Sequence, residues 1–366
     1  MNTGAAASFQ LGKQQGHSAG FHAGWRDGAC EWAKTALLTP LPEVVPLRVL
    51  YIPQGSLGFD AIDSGIVLAL QKCVSEVHVG VQEGLLQQVT AIQPDIVLVL
   101  NGLYTFPPDH LEHIAAIRAM GIKTVIWFVD DPYMTAQTIQ IAPHYEVVLT
   151  HERGTVELYR QHGCLQVHHL PLAVNDTVFG SFRAEKQYQY DICFIGVAFW
   201  NRVELIDSIA EQLSRRKVFI AGGHWDRLKN HHLLKPSIHM DSVLPEMAAH
   251  YYNGSKIVIN MHRSDIPGPD NPNMLQMPGL SVNPRTYDVS ACATLQLTDI
   301  REDLATQYRP GHEIETYGSA QELVAKLDYY LSHEEERLRI AMRGMYRTLR
   351  HHTMTSRIAT LVNLLR

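Results

Sequence analysis

Cysteine is scarce in this chain: Cys30, Cys73, Cys164, Cys193 and Cys292 are scattered through 366 residues, without a C-x-x-C pair. Such spacing excludes a disulfide scaffold, and the five read as reduced core thiols. Apolar runs are short as well. None reaches the roughly 18 residues of a membrane-spanning helix, and the first residues lack the apolar centre of a signal peptide, so no membrane span and a cytoplasmic location are expected. An excess of positive charge is also missing, since Lys+Arg 31 against Asp+Glu 37 leaves a formal charge of −6. A nucleic-acid or anionic-membrane partner would need the opposite balance, and neither is expected. Histidine is abundant, at 20, yet no H-E-x-x-H, H-x-H or Cys/His cluster occurs at ligand spacing. Neither a metal nor a resident cofactor is therefore expected. A Walker A sequence and the protein-kinase set are absent too.

The length exceeds the roughly 250–300 residues that one core usually serves, which predicts two domains. Residues 1–46 stand apart. Gly12, Gly16, Gly20, Gly24 and Gly28 recur every four residues, close to one helical turn, and Pro40, Pro42 and Pro46 follow as a linker. Each glycine costs a helix about 1 kcal/mol relative to alanine, so the segment is either a flexible arm or a helix that packs on a partner, including a second copy of the chain.

From residue 47 the pattern becomes apolar strands, at 47–52, 76–79, 96–100, 124–129 and 147–150, with helical stretches between them. "PDIVLVL" and "KTVIWFV" are the continuous runs of parallel strands buried on both faces, so residues 47–180 are expected to form a Rossmann-like domain. Ligands of such sheets bind beyond the carboxyl ends of the strands. Those ends carry Gln54 with the loop 55–58, Asn101-Gly102, Asp130-Asp131-Pro132 and His151-Glu152. The loop reads as a tight turn or a phosphate contact. Asp130 and Asp131 suit helix capping or proton transfer.

A second domain is expected over 181–366, with its boundary near 177–186. It opens with a strand at 190–195, Gly196, and a helix carrying Arg202. Gly222 and Trp225 repeat the strand-then-glycine arrangement, Trp225 either stacking on a base or covering the sheet end. A strand at 255–261 ends at His262 and Arg263, and the loop 266–278 after it reads as a lid or a surface insertion. Ser319-x-x-Glu322 and Ser332-x-x-Glu335 read as capping boxes that start two amphipathic helices.

Between these features lies Asn283-x-Arg285-x-Tyr287-Asp288-x-x-Ala291-Cys292-Ala293, followed by an apolar strand. A helix opening with an arginine and a carboxylate offers free N–H groups, a cation and an acceptor to one ligand, which is what a nucleoside diphosphate needs. The run, together with Glu313-Ile314, Tyr329-Tyr330-Leu331 and His352-Thr353-x-x-x-Arg357, resembles the C-terminal signature of the CgeB-like spore-maturation glycosyltransferases. Two positions depart from that signature: Asp288 stands where Glu is usual, and Ala293 where Gly is usual.

The resemblance implies a GT-B architecture, two Rossmann-like domains facing a cleft. It implies a nucleotide-sugar donor in the C-terminal domain and a glycan, protein or small-molecule acceptor in the N-terminal one. Gly196, Arg202, Gly222, Trp225, His262, Asn283, Arg285, Tyr287 and Asp288 are the expected donor contacts. Asp131, Asp130, His151 and Glu152 are the candidates for an acceptor-activating base. A sugar-nucleotide epimerase and a non-catalytic relative remain as alternatives.

Overall fold

The computed structural model describes residues 3–37, 42–55 and 60–366. Ser56, Leu57 and Gly58 of the loop read as a tight turn or a phosphate contact, and Pro40 of the linker, lie outside the described residues. Six strands build the first sheet: β1 (Val45–Ile52), β2 (Val74–Val79), β3 (Ile96–Leu100), β4 (Lys123–Phe128), β5 (Val147–Thr150) and β6 (Gln166–His169). Six more build the second: β7 (Tyr190–Ile195), β8 (Val218–Ala221), β9 (Ile238–His239), β10 (Ser255–Asn260), β11 (Leu295–Asp299) and β12 (Glu315–Tyr317). All pairings are parallel, in the orders β2-β1-β3-β4-β5-β6 and β12-β11-β10-β7-β8-β9.

The continuous apolar strands follow from burial on both faces. Along β3, Ile96, Leu98 and Leu100 enter one core layer, while Val97 and Val99 enter the other. In β7, Ile192 and Phe194 face one layer and Cys193 and Ile195 the opposite one. Each strand order changes direction once, between β1 and β3 in the first sheet and between β7 and β10 in the second. Such switch points leave a crevice at the carboxyl ends of the strands.

Three elements differ from the sequence reading. Helix Met354–Leu365 does not close the C-terminal domain. Its Met354, Ile358, Leu361, Val362 and Leu365 join the first sheet's core beside Ile66, Ala69 and Leu70. The chain returns there through Val174, whose N–H donates to His352 O and whose carbonyl accepts from Met354 N, both at 2.9 Å. Ser332 does not cap the helix after it. Its Oγ donates to the carbonyls of Asp328 and Tyr329 at the end of the preceding helix, and Glu334–His351 starts without a side-chain cap. Ser319, by contrast, accepts the Glu322 N–H at 3.2 Å.

The N-terminal segment is one helix, Thr3–Ala36, and its glycine stripe is not the surface that packs within the chain. A Cβ placed on Gly12, Gly16, Gly20, Gly24 or Gly28 would meet no atom within 4 Å. Cys30 and Ala33 make the contact instead, with Met342, Met345 and Ala293. Gly16-His17-Ser18-Ala19-Gly20 matches the letters of a hydrolase nucleophile elbow but lies mid-helix, without the strand-turn-helix context that motif requires.

Candidate active site

Around the β7/β10 switch point two guanidinium groups approach one another. Arg202 is buried, and three of its five N–H groups are engaged: Nε and Nη2 donate to Met261 O at 3.1 and 2.7 Å, and Nη1 to Val197 O at 3.0 Å. Burial, and then the charge of Arg285, pull its pKa down to about 9. Arg285 is half-buried, with a long bond to Asn260 Oδ1 at 3.5 Å, the Tyr252 hydroxyl as a second partner, and no ion pair among the described residues. A Cβ on Gly196 would stand 3.0 Å from Arg202 Nη1 and 3.3 Å from Arg285 Nη2, so this glycine keeps the space before both cations open. Gly222 serves the backbone, since its Cβ would lie 2.3 Å from Gly196 O.

The residues between strand β10 and the signature helix Arg285–Ala291 form a positioning network. Asn283 N donates to His262 Nε2 at 3.0 Å, which leaves Nδ1 to carry the proton and donate to Asp299 Oδ1 at 2.6 Å. Burial keeps His262 neutral, its pKa lowered. Burial alone would raise Asp299, but His262 and Arg301 hold it below the usual carboxylate range. Asn283 Oδ1 caps the signature helix by accepting Thr286 N at 3.1 Å, and its Nδ2 donates to Asn260 Oδ1 at 3.0 Å. Asn260, which the sequence reading did not single out, thus links Asn283 to Arg285.

Asp288 sits one turn after Arg285 and is half-buried. Its side chain makes no hydrogen bond among the described residues, and burial pushes its carboxyl up to about 8 against the pull of Arg285. Two expected donor contacts fall elsewhere. Tyr287 is fully buried, its ring beside Tyr308 and His352, because the face of the helix opposite the crevice must fill the core. Trp225 is also fully buried, its Nε1 donating to Gly196 O at 3.0 Å and its ring edge on Phe194; it covers the sheet end and offers no platform for a base.

Opposite this crevice, the first sheet separates the four candidate bases. Asp131 is fully buried and accepts from Thr135, Thr138, Thr150, Thr155 and Tyr159, the last at 2.6 Å. It ties β4 to β5 and the helices after them, with no lone pair facing solvent. His151 is buried, and its Nε2 donates to Asp131 O at 2.7 Å. Glu152 is a clasp between the domains: Oε1 accepts Gly154 N at 2.8 Å and Leu280 N at 3.0 Å, and Oε2 accepts Ser281 N at 3.2 Å. Burial raises the carboxyls of both Asp131 and Glu152.

Asp130 is the exception. Its Oδ2 accepts from Asn101 Nδ2 at 2.7 Å and Tyr104 OH at 2.9 Å, and among the described residues no hydrogen bond reaches Oδ1. Asn101 and Tyr104 hold φ of 63° and 60°, with Gly102 between them at 65°. Non-glycine residues in this region are uncommon and cost strain, which tends to concentrate at functional sites. Arg263 comes across from β10, its guanidinium 4.4 Å from the Tyr133 ring and 4.5 Å from the Phe199 ring, while Tyr133 OH donates to Arg263 O at 3.1 Å. The expected lid, 266–278, is braced from within by Asn271 and Asn273, which donate to Ile266 O, Asp265 O and Met277 O.

Residues 202–363 match the glycosyl transferase-like family. Across 306 residues, 81% of this chain and 91% of the relative, the sequence is 28% identical to Spore protein CgeB of Bacillus subtilis (strain 168). The chain is similar to CgeB over most of its length, and its fold is GT-B. Among solved structures, Anabaena HepE in complex with UDP-glucose superposes with a TM-score of 0.60 at 12% identity, covering 87% of this chain and 99% of that one. A putative UDP-N-acetylglucosamine 2-epimerase from Listeria monocytogenes has a TM-score of 0.55 at 11% identity, covering 87% and 96%.

In this chain the signature position usually held by glycine is Ala293, and its φ is 52°. Left-handed backbone explains the usual glycine. Here the methyl is buried, in the cluster formed with Cys30, Ala33, Met342 and Met345 of the two helices that pass it. Asn101, Tyr104, Asn260 and Arg263 are the site residues that motif reading missed. Only Asn101 and Arg263 carried a sign in the sequence, their place at the carboxyl ends of strands. Among the described residues no helix is long and apolar enough to cross a membrane, and no group of three or more His, Cys, Asp or Glu is placed to hold a metal ion.

Proposed function

We propose that this chain is a glycosyltransferase that takes a sugar from a nucleoside-diphosphate donor held at the β7/β10 crevice and passes it to an acceptor hydroxyl at Asp130. The observation that carries this reading is the half-buried Arg285, beside Arg202 and the open face of Gly196, with no ion pair to a carboxylate among the described residues. A diphosphate leaving group develops negative charge as the glycosidic bond breaks, and preorganised guanidinium groups can meet that charge without a metal. Metal independence is part of the proposal. Asp288 is the acceptor for the ribose hydroxyls, and Asp130 Oδ1 takes the acceptor's proton. UDP-sugars are the donors to test first, because HepE was solved with UDP-glucose.

Two other proposals follow from the fold. A cytoplasmic enzyme needs no membrane segment, and the exposed Leu11, Phe21, Trp25 and Trp32 of the N-terminal helix make it the proposed contact between copies. Light scattering of the protein lacking residues 1–34 tests that contact, and an unchanged mass removes it.

An epimerase of the same fold is the second reading, supported by the Listeria monocytogenes neighbour. Product analysis with a UDP-sugar separates them. Transfer releases UDP and a glycosylated acceptor, whereas epimerisation consumes one nucleotide sugar with no acceptor. Absence of both reactions would favour a non-catalytic role.

A further inference from the structure

At the other end of the second sheet, below the amino ends of β7 and β10, a groove of about 500 Å³ lies between the N-terminal helix and the sheet. Ligand pockets commonly measure about 300–1,000 Å³. Its lining carries Arg26, Arg183, Lys186, Lys217, Lys256 and Arg337 against Asp27, Asp191 and Glu334, three more positive than negative charges, in a chain whose formal charge is −6.

The carboxylates are already satisfied. Asp27 lies 3.6 Å from Arg26, Asp191 lies 2.8 Å from Lys256, and Glu334 lies 3.2 Å from both His22 and Arg337. Three cations are left over. Arg183, Lys186 and Lys217 make no ion pair and no side-chain hydrogen bond among the described residues, and the Lys217 ammonium lies 4.7 Å from the centre of the Tyr190 ring. The helix wall is fixed in place: Arg26 Nη2 donates to Cys292 O at 2.9 Å and to Asn253 Oδ1 at 3.1 Å. The local field is positive as well. Burial works against Asp191, yet Lys256, the Lys217 N–H and Arg216 hold its carboxyl below the usual range.

We infer that this groove binds a phosphorylated small molecule, with Arg183, Lys186 and Lys217 on the phosphate and the N-terminal helix as one wall. A guanidinium forks onto two phosphate oxygens and ammonium groups add point charges. Tyr190 and His22 offer the rings of the lining to the rest of such a ligand. The site is distinct from the β7/β10 crevice, since it opens at the opposite ends of those strands.

The test is calorimetric titration of the intact protein, at constant ionic strength, with glucose 6-phosphate and with inorganic phosphate. Saturable binding of at least one is expected. The double variant Arg183→Ser/Lys217→Ser, at two exposed positions, should lose at least about tenfold in affinity, one decade in Kd. Arg285→Ala should leave that binding unchanged, and hydrogen exchange at residues 22–27 should slow with ligand. Tighter binding of the ester than of phosphate assigns an ester ligand, and equal binding assigns free phosphate. No saturation by either probe up to ~10 mM, equal affinity in the double variant, or loss in Arg285→Ala alone would each overturn the site.

Discussion

Asn101 donates its side-chain amide to Asp130 at 2.7 Å while its own Oδ1 accepts the Val129 N–H at 3.2 Å, so the residue that orients the carboxylate is itself fixed by the strand that carries it. Positive φ at Asn101 and Tyr104 bends the end of β3 toward Asp130. If Asp130 is the base, Asp130→Asn should lower kcat by about 10²–10⁴, the usual contribution of general-base catalysis, with donor affinity unchanged. Asn101→Ala should lower kcat less. Steady-state kinetics with a UDP-sugar decides this, and full activity in Asp130→Asn removes the base.

The buried carboxylates should behave differently. Glu152→Ala leaves the N–H groups of Gly154, Leu280 and Ser281 without their acceptor. Orphaned buried donors cost about 1–3 kcal/mol each before water relieves them. A lower unfolding midpoint in denaturant is expected, with kcat of the folded fraction largely kept. A kcat collapse in Glu152→Gln at unchanged stability would return Glu152 to the list of bases.

Ala293→Gly should change stability little. Relief of the left-handed backbone gains about 1–2 kcal/mol, while the lost methyl gives back about 0.8 kcal/mol and glycine adds unfolded-state entropy. Thermal unfolding measures the balance, and a large loss would mean that the contact with the N-terminal helix dominates.

Asp288 predicts a pH dependence. Its folded carboxyl is raised from 3.8 to about 8, so between those values the folded state binds more protons than the unfolded one. Stability from this group is therefore lost as pH rises through that window. Asp288→Asn should flatten the fall, and it should weaken ribonucleotide binding more than binding of the 2′-deoxy counterpart. An unchanged ratio of the two affinities removes Asp288 from the ribose.

Much of the fold was legible because parallel strands buried on both faces have no alternative to continuous apolar runs, as at 96–100 and 147–150. Helix Met354–Leu365 was misplaced because an apolar face does not say which core receives it. Site chemistry was harder. Asp130 and Asp131 are adjacent and identical in type, and only the third dimension turns one toward five hydroxyl groups and leaves the other with a free oxygen. Tyr287 and Trp225 belong to the same motifs as Arg285 and Gly196, but successive residues on a helix or turn face different ways, and these two fill the core.

The central claim is that a nucleoside diphosphate binds at Arg285. Titration calorimetry of UDP against the parent protein and Arg285→Ala tests it most directly. The account predicts saturable binding that weakens by about 1.5–3 kcal/mol in the variant, the range for hydrogen bonds to a charged group, with partial recovery in Arg285→Lys and an unfolding midpoint close to the parent's. Equal affinities in the parent and Arg285→Ala would contradict it.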